Sequence, residues 1–388
     1  MKKNFADILQ NIVAADRKKY EAKLPSWASA GAQVPSGLSL EQCSSEAAAC
    51  YKAELMLRGG RPETVVDLTC GMGVDSLAFS QAAGRVIAFE RNPKLAEATR
   101  RNFQLMGADR IELRCEEVTP ETDIPVCDFL FADPARRDAA GRKVFLLEDC
   151  SPDILTLLPT LCSKAGRMMF KLSPMADITM VARRLQTALQ ELPDSGFSLQ
   201  EVHVTSLGGE VKELLCLLGK DGEGSDGGHA DAFPITVREL SGGGPFVFRQ
   251  PEENAARARM LSGEDELLSA THIVEPSAAI LKAGAFKLPS ERFEILKADP
   301  MTHLYFTDAA IAGQLPEKLF RAFPIREIVP FGKATMRDVA HRFPHSSISA
   351  RNFPLSSDEL RKKMGVSSGS DARIFAFSAL GKRWLAIT

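Results

Sequence analysis

Residues 64–79 read TVVDLTCGMGVDSLAF, and this stretch decides the fold predicted for the chain. The apolar run at 64–68 predicts a short buried strand. Gly71 and Gly73 predict a tight turn into a helix that begins near Asp75, because a Cβ there would obstruct a ligand that approaches the backbone. The stretch therefore predicts a strand, a binding loop and a helix in succession.

The alternation of short apolar runs with helical segments continues to residue 218. Strands are predicted at 64–68, 85–90, 110–115, 126–133 and 167–172, with helices at 75–82, 93–106, 150–163 and 175–191. Two further apolar runs, 198–207 and 210–219, surround a GGE turn and predict an antiparallel hairpin. The pattern is typical of an open α/β fold, with a parallel sheet, crossover helices and an antiparallel edge strand.

The whole chain of 388 residues is long enough for two to three domains. Before the sheet, a helical N-terminal region is predicted, in which Ser39 caps a continuous helix over 39–57. A Gly- and Asp-rich stretch at 219–234 predicts a linker, and a second break is expected near 321. The expected domains are the helical region at 1–60, the sheet domain at 61–220, and two small α+β domains at 235–320 and 321–388.

The charge of the chain is unevenly distributed, although its formal sum is only −2. From Arg321 to Thr388 there are 12 Lys or Arg and 5 Asp or Glu, so this segment carries +7 and the preceding residues carry −9. Such asymmetry favours a basic domain that meets nucleic acid or another acidic partner. A basic but merely solvated surface is the alternative that the charge alone leaves open.

Composition and residue spacing exclude several classes of protein. A hydrophobic share of 45% with 25% charged residues is typical of a globular protein and excludes general disorder. The eight cysteines form no C-x-x-C pair, which favours buried reduced thiols over disulfides or zinc, and the histidines show no metal-ligand spacing. That spacing predicts no metal. Since no long uncharged apolar stretch occurs, no membrane span is expected, and a cytoplasmic location is predicted. The oligomeric state stays open.

Acidic residues follow the first three predicted strands. Asp67 ends the first strand, and Glu90 ends the second, where an acid can accept hydrogen bonds from ribose hydroxyls. Glu117 follows the third strand, where an acid can meet an adenine amino group. A nicotinamide dinucleotide fold would require a third glycine at the position of Ser76. A nucleoside cofactor without a pyrophosphate therefore fits better, and an oxidoreductase is disfavoured.

Two groups of motifs resemble known families. VVDLTCGMGVDSLAFS at 65–80, VIAFERNP at 86–93 and ADRIELRCEEV at 108–118 resemble the S-adenosylmethionine motifs of class I methyltransferases, near the RNA cap trimethylguanosine synthase branch. SLEQCSSEAAACYKAEL at 39–55, DPARRD at 133–138, EPSAAILKAGAFK at 275–287 and the basic C-terminus resemble a bacterial methyltransferase group with a THUMP-like domain. The resemblance implies a Rossmann-like sheet, S-adenosyl-L-methionine as cofactor, a ferredoxin-like domain at 235–320 and a basic THUMP-like domain at 321–388.

The resemblance also implies a set of cofactor-binding residues. Asp67, Gly71 and Gly73 would line the methionine end of the cofactor, Glu90 would hold its ribose, and Glu117 its adenine. The full set is Asp67, Thr69, Gly71, Gly73, Asp75, Glu90, Arg91 and Glu117. Thr69 departs from the family, which often has glycine there, and its side chain is expected to narrow the loop.

The fourth strand ends in Asp133-Pro134, at the sheet edge where ligands bind in open α/β folds. Amino methyltransferases carry D-P-P-Y here, and this chain lacks the aromatic residue. The alternative likeness to uracil-C5 methyltransferases requires a nucleophilic cysteine after the next strand, where the sequence has Leu172 and Ser173 instead. Direct displacement by a substrate nitrogen, or less readily an oxygen, is therefore favoured.

Asp133 and Pro134 are accordingly predicted to be catalytic, with Asp133 as the acceptor for a substrate N–H. The predicted substrate-binding residues are Arg136, Arg137, Lys171 and Ser173. The arginines match phosphate geometry, although a solvated loop is the alternative for them. RNA, as tRNA or rRNA, is the leading substrate, and the other hypotheses are a small molecule or protein substrate, or a non-catalytic protein that binds S-adenosylmethionine and RNA.

Overall fold

The computed structural model describes residues 17–34, 37–136, 147–220 and 233–388. The strands are β1 (Thr64–Asp67), β2 (Arg85–Phe89), β3 (Ile111–Arg114), β4 (Cys127–Ala132), β5 (Ala135–Arg136), β6 (Cys150–Ser151), β7 (Ala165–Leu172), β8 (Phe197–Leu207), β9 (Glu210–Lys220), β10 (Pro234–Glu239), β11 (Phe246–Arg249), β12 (His272–Pro276), β13 (Leu296–Asp299), β14 (Thr302–Thr307), β15 (Phe320–Pro324), β16 (Glu327–Pro330), β17 (His345–Arg351), β18 (Ser367–Ala379) and β19 (Lys382–Ile387).

The helices follow the same order along the chain. They are α1 (Pro25–Ala30), α2 (Gly37–Gln42), α3 (Glu46–Leu57), α4 (Val74–Ala82), α5 (Pro93–Leu105), α6 (Ile154–Lys164), α7 (Ile178–Gln190), α8 (Gln250–Ala255), α9 (Glu264–Ser269), α10 (Ala278–Ala283), α11 (Leu288–Phe293), α12 (Ala309–Ala312), α13 (Lys333–Arg342) and α14 (Ser357–Met364). The chain divides into two compact units, Met1–Thr205 with Lys212–Phe233, and Ser206–Val211 with Pro234–Thr388.

The first unit is built on a sheet whose strands follow the order β8–β9–β7–β4–β1–β2–β3. The five strands from β7 to β3 in that order are parallel, and β9 pairs with β7 in the antiparallel sense. The predicted open α/β sheet and its C-terminal hairpin are confirmed. The antiparallel strand β9 lies inside this order rather than at an edge, because its apolar run at 214–218 is largely buried on both faces.

The core of this sheet explains why the stretch at 64–79 folds as a strand and a helix. Val65 and Val66 of β1 are fully buried, as expected for a strand covered on both faces. Phe79 of α4 packs edge-to-face against Phe129 and Phe131 of β4, with ring centroids 6.0 and 5.2 Å apart. Burial of such aromatic rings contributes about 1.5–3 kcal/mol each, which holds α4 against β4.

Two predicted helices differ from the structure. The continuous helix expected over 39–57 is interrupted between α2 and α3, because the Ser45 side chain accepts a hydrogen bond from the Ala48 amide and caps a new helix. The helix expected from 150 begins at Ile154 instead, because Asp153 caps it and accepts a hydrogen bond from the Thr156 amide. In both places a side-chain cap, rather than apolar periodicity, sets the helix start.

The second unit contains two four-stranded sheets, with orders β13–β14–β12–β15 and β16–β19–β18–β17. The break expected near 321 falls inside β15, whose residues pair with β12 from Phe320 to Pro324. Most of the expected linker at 219–234 lies outside the described residues. The domain bounds given above therefore stay a prediction.

The tip of the β8–β9 hairpin belongs to the second unit. The Glu239 carboxylate accepts hydrogen bonds from the Ser206 hydroxyl at 2.8 Å and from the amides of Gly208 and Gly209 at 3.0 and 3.3 Å. Glu239 is nearly fully buried, so these donors satisfy a carboxylate that is otherwise shielded from water. The tip is thereby fixed within the second unit.

All eight cysteines are free thiols, but they are not all buried as predicted. Cys50 and Cys115 are exposed, because one faces outward on α3 and the other follows the end of β3. Across the described residues, no group of three or more His, Cys, Asp or Glu side chains could hold a metal ion. None of the helices in the same part of the chain is long and apolar enough to cross a membrane.

Candidate functional site

A cleft of about 920 Å³ opens at the carboxyl ends of β1, β2, β4 and β7 in the first unit. Most of the predicted site residues line it: Thr69, Gly71, Gly73, Asp75, Glu90, Arg91, Glu117, Asp133, Pro134, Lys171 and Ser173. The carboxyl ends of parallel strands meet at one sheet edge, which is why residues distant in sequence come together here. Arg137 lies outside the described residues, and Arg136 is described only as part of the backbone of β5.

The two glycines of the β1–α4 loop serve different purposes. Gly71 has φ +57°, and the nearest atom that a Cβ there would meet is the Thr69 carbonyl oxygen at 3.9 Å, so the position faces open space. Gly73 has φ +86°, but a Cβ there would lie 2.3 Å from the Phe103 ring. Close packing against α5 therefore requires Gly73, whereas the backbone conformation and access to the cleft require Gly71.

Asp67 is the predicted cofactor residue that does not line the cleft. It is fully buried beneath the loop, where its carboxylate accepts hydrogen bonds from the Thr69 amide at 2.9 Å and the Ser76 hydroxyl at 2.5 Å. Burial raises the pKa of the Asp67 carboxyl group to about 7. Asp67 thus stabilises the conformation of the β1–α4 loop through these hydrogen bonds, and its side chain does not face the cleft.

Thr69, the departure from the family pattern, has a defined contact. Its hydroxyl accepts a hydrogen bond from the Asp133 amide at 2.6 Å. Glycine at this position could not make that bond. The threonine therefore ties the β1–α4 loop to the end of β4, which carries the predicted catalytic pair.

Glu90 is held by two backbone donors at the end of β2. Its carboxylate accepts hydrogen bonds from the Gly71 amide at 2.9 Å and the Asn92 amide at 2.7 Å. A carboxylate can accept about four hydrogen bonds, so it retains acceptor capacity toward the cleft. At the rim, Arg91 pairs with Glu117 at 3.2 Å, and both side chains are exposed.

Asp133 and Lys171 form an ion pair on the cleft wall. Burial by itself would lower the pKa of the Lys171 ammonium, but the carboxylates of Asp133, Glu213 and Asp75 outweigh burial and raise it. Lys171 is therefore a permanent cation on the cleft wall. Ser173 lies beside them, and its hydroxyl accepts a hydrogen bond from the Met175 amide at 3.2 Å.

A buried charged cluster next to the cleft was missed by the sequence analysis. The Lys52 ammonium on α3 is fully buried, 3.0 Å from the Asp75 carboxylate and 3.0 Å from the Glu213 carboxylate. The Ser44 hydroxyl accepts from Lys52 at 2.8 Å and donates to Asp75 at 2.7 Å. In the sequence, Lys52 lies in an Ala-rich segment and Glu213 precedes an apolar run. Neither pattern predicts which residue these side chains contact.

Comparisons with known proteins show what this chain is similar to. Residues 272–313 match a family described as a ferredoxin-like domain, and residues 320–388 match a family described as THUMP domain-like. An uncharacterized S-adenosylmethionine-dependent methyltransferase of Mycobacterium tuberculosis H37Rv is 25% identical over 328 residues, which is 84% of this chain and 79% of that protein. The protein from strain CDC 1551 of that organism gives the same values.

A solved structure decides the family. A protein of Porphyromonas gingivalis W83 assigned as a methyltransferase is 30% identical, with a TM-score of 0.79, and the match covers 96% of this chain and 87% of that one. The chain belongs to the S-adenosylmethionine-dependent methyltransferases. The methyltransferase thus has the class I sheet and the S-adenosylmethionine cofactor that the sequence predicted.

The cleft of this methyltransferase has the groups that S-adenosylmethionine requires. The cofactor supplies an electrophilic methyl group on a sulfonium cation. Gly71 leaves space beside the loop, and Glu90 presents acceptor capacity where ribose hydroxyls would be held. The Glu90 carboxylate is held by backbone amides rather than by a cation, so it gives this part of the cleft negative charge, which suits a cation. The chain therefore contributes space, hydrogen-bond acceptors and electrostatic complementarity.

Replacing Glu90 with alanine is expected to weaken S-adenosylmethionine binding about 10- to 100-fold. The variant loses a charged acceptor for the ribose, worth about 1.5–3 kcal/mol, and it frees the Gly71 amide that this carboxylate holds. Isothermal titration calorimetry with the full chain measures the affinity. Glu112→Ala removes the same charge from the exposed face of β3 and should bind like the wild type. Equal affinities in the two variants would place the ribose elsewhere.

Proposed function

We propose that this methyltransferase methylates a nitrogen of a base in tRNA or rRNA by direct displacement. The observation that carries the proposal is Asp133, which lines the cleft at the end of β4 and pairs with Lys171. A carboxylate at that place can accept the N–H hydrogen bond of a base and orient the nitrogen lone pair toward the methyl group. Lys171 supports this role because its ion pair with Asp133 holds the carboxylate in position on the cleft wall.

The contents of the cleft favour direct displacement over a covalent route. C5 methylation by a covalent route would require a nucleophilic cysteine at the end of β7. Leu172 and Ser173 line the cleft there instead. The Cys43 thiol also lines it, but this thiol donates a hydrogen bond to the Leu40 carbonyl, and burial raises its pKa. Such a thiol is a poor source of thiolate. The substrate nitrogen therefore forms its bond to the methyl carbon as the sulfur–carbon bond breaks, and its proton passes to Asp133 or solvent.

The choice of RNA rests on the second unit. Its last 68 residues carry a formal charge of +7, and the THUMP-like match spans nearly the same segment, at 320–388. Neutralisation of RNA phosphates by Lys and Arg releases counterions, which supplies much of the affinity for RNA. Pro134, which follows the acceptor carboxylate, and Ser173 would line the pocket that receives the base.

Nucleoside mass spectrometry of RNA from a deletion strain tests the substrate. One methylated nucleoside should disappear from the tRNA or rRNA fraction. Purified wild-type protein with tritiated S-adenosylmethionine should restore it in the RNA of that strain. Methyl transfer to extracted metabolites or protein, with none to either RNA fraction, would instead favour the alternative substrates. Transfer of a methyl group to a base carbon would contradict direct displacement at nitrogen.

A further inference from the structure

A cluster of three arginines around one glutamate lies within the second unit. Glu275 stands on β12 and Arg321 on β15, while Arg351 and Arg373 stand on β17 and β18 of the other sheet. The cluster thus joins strands from two sheets. The function proposed above uses the overall basic charge of this segment but assigns no role to this cluster.

The hydrogen bonds of the cluster leave it with surplus positive charge. One oxygen of Glu275 accepts from Arg351 at 2.7 Å, and the other accepts from Arg373 at 2.7 Å. Arg321 is the cross-strand partner of Glu275, yet its side chain makes no hydrogen bond or ion pair to any residue that the structure describes, and its guanidinium lies 6.0 Å from the Phe323 ring centroid. Two guanidinium groups therefore occupy both oxygens of the Glu275 carboxylate, and the charge of Arg321 is left without a carboxylate among the described residues.

The arginines are held in place although their charges repel one another. The Arg373 guanidinium lies 4.8 Å from the Phe323 ring centroid and 5.0 Å from that of Phe375. Its Nε atom is buried and finds no partner among the described residues. Burial lowers the pKa of Arg373, Glu275 opposes that effect, and Arg321 and Arg351 add to it. A bound anion would relieve this repulsion.

We propose that the cluster of Arg321, Arg351 and Arg373 binds a phosphodiester group of the RNA substrate. This inference rests on the proposed RNA substrate and names one place where the RNA is held. Guanidinium groups match the geometry of phosphate oxygens, and aromatic packing reduces the entropy lost when they bind. The side chains of Arg351 and Arg373 are 38% and 27% exposed, so a phosphate can reach them. Glu275 positions the two guanidinium groups rather than contacting the ligand.

Salt-dependent binding of the full chain to bulk tRNA and to rRNA tests this site. Arg321→Ala should reduce the slope of log affinity against log salt by about 1 and weaken binding several-fold at low salt. Its melting temperature should stay close to that of the wild type, because Arg321 is exposed. Arg321→Lys keeps the charge, so the slope of log affinity against log salt should not change. Its affinity should still fall, because an ammonium group cannot bind phosphate in the bidentate geometry of a guanidinium.

Arg337→Ala is the matched control, since Arg337 is an exposed arginine on α13 of the same unit. Equal losses of slope and affinity for Arg321→Ala and Arg337→Ala would overturn the site while leaving the RNA substrate intact. If the wild-type chain binds neither tRNA nor rRNA in a salt-dependent way, both this site and the RNA half of the proposed function are wrong. A loss of affinity and of salt dependence in Arg321→Ala, with neither loss in Arg337→Ala, supports the site.

Discussion

Replacing Asp133 with alanine is expected to lower the rate of methyl transfer by about 100-fold or more. The variant removes the only acceptor that we assign to the substrate N–H, so the nitrogen is no longer oriented. Binding of S-adenosylmethionine should change by less than about threefold, because the ribose and the loop are held by other residues. Single-turnover methylation of RNA from the deletion strain measures the rate, and calorimetry measures cofactor affinity.

Two further variants sharpen this test. Asp133→Asn keeps the shape but loses the charge that pairs with Lys171, so it should retain folding and still be slow. Asp123→Ala removes a carboxylate whose side chain is 98% exposed in the same unit, and it should be as fast as the wild type. A normal rate in Asp133→Asn would show that the charge of Asp133 is dispensable, because the Asn carbonyl oxygen can still accept the N–H. A normal rate in Asp133→Ala would show that the substrate nitrogen is oriented elsewhere. A loss of cofactor affinity as large as the loss of rate would assign Asp133 to the cofactor.

Replacing Lys52 with methionine is expected to lower the free energy of unfolding of the first unit by about 3–5 kcal/mol. The variant leaves the Asp75 and Glu213 carboxylates buried without their shared cation, and burying an unpaired charge is costly. Much of a typical domain's stability, about 5–15 kcal/mol, would be lost. Urea denaturation measures the change.

The two tryptophans allow the units to be followed separately. Trp27 is buried in the first unit and Trp384 in the second, so fluorescence of a Trp384→Phe background reports the first unit alone. Lys94→Met, on the exposed side of α5, is the matched control and should change stability by less than about 0.5 kcal/mol. If Lys52→Met is as stable as that control, the buried ion pairs contribute nothing net.

Local patterns were sufficient to predict the sheet and to bring most of the candidate site residues to one cleft. The short apolar runs predicted the five parallel strands, since four of them are largely buried and need no alternation, whereas β3 at the edge is partly exposed. The strand ends then located Glu90 and Asp133, because parallel strands bring their carboxyl ends to one edge. These inferences need only the local sequence of each strand and the rule that the carboxyl ends of parallel strands lie at one edge of the sheet.

Interactions between distant residues could not be predicted in the same way. Lys52 and Glu213 are separated by 161 positions, and nothing in either neighbourhood indicates that they meet. Asp67 was predicted to face the cofactor because of its place in the motif, but its carboxylate turns inward to the Thr69 amide and the Ser76 hydroxyl. The side chain's direction depends on which hydrogen-bond donors surround it, and a motif does not specify these.

The contacts between Glu239 and the hairpin tip limit which segments of this chain can be deleted or exchanged. The chain passes between the two units three times, at the two ends of residues 206–211 and again after residue 233. A deletion of everything beyond 233 would remove Glu239 and leave the amides of Gly208 and Gly209 without their acceptor. The two units are therefore expected to be inherited together, and recombination that exchanges one of them must also replace the tip.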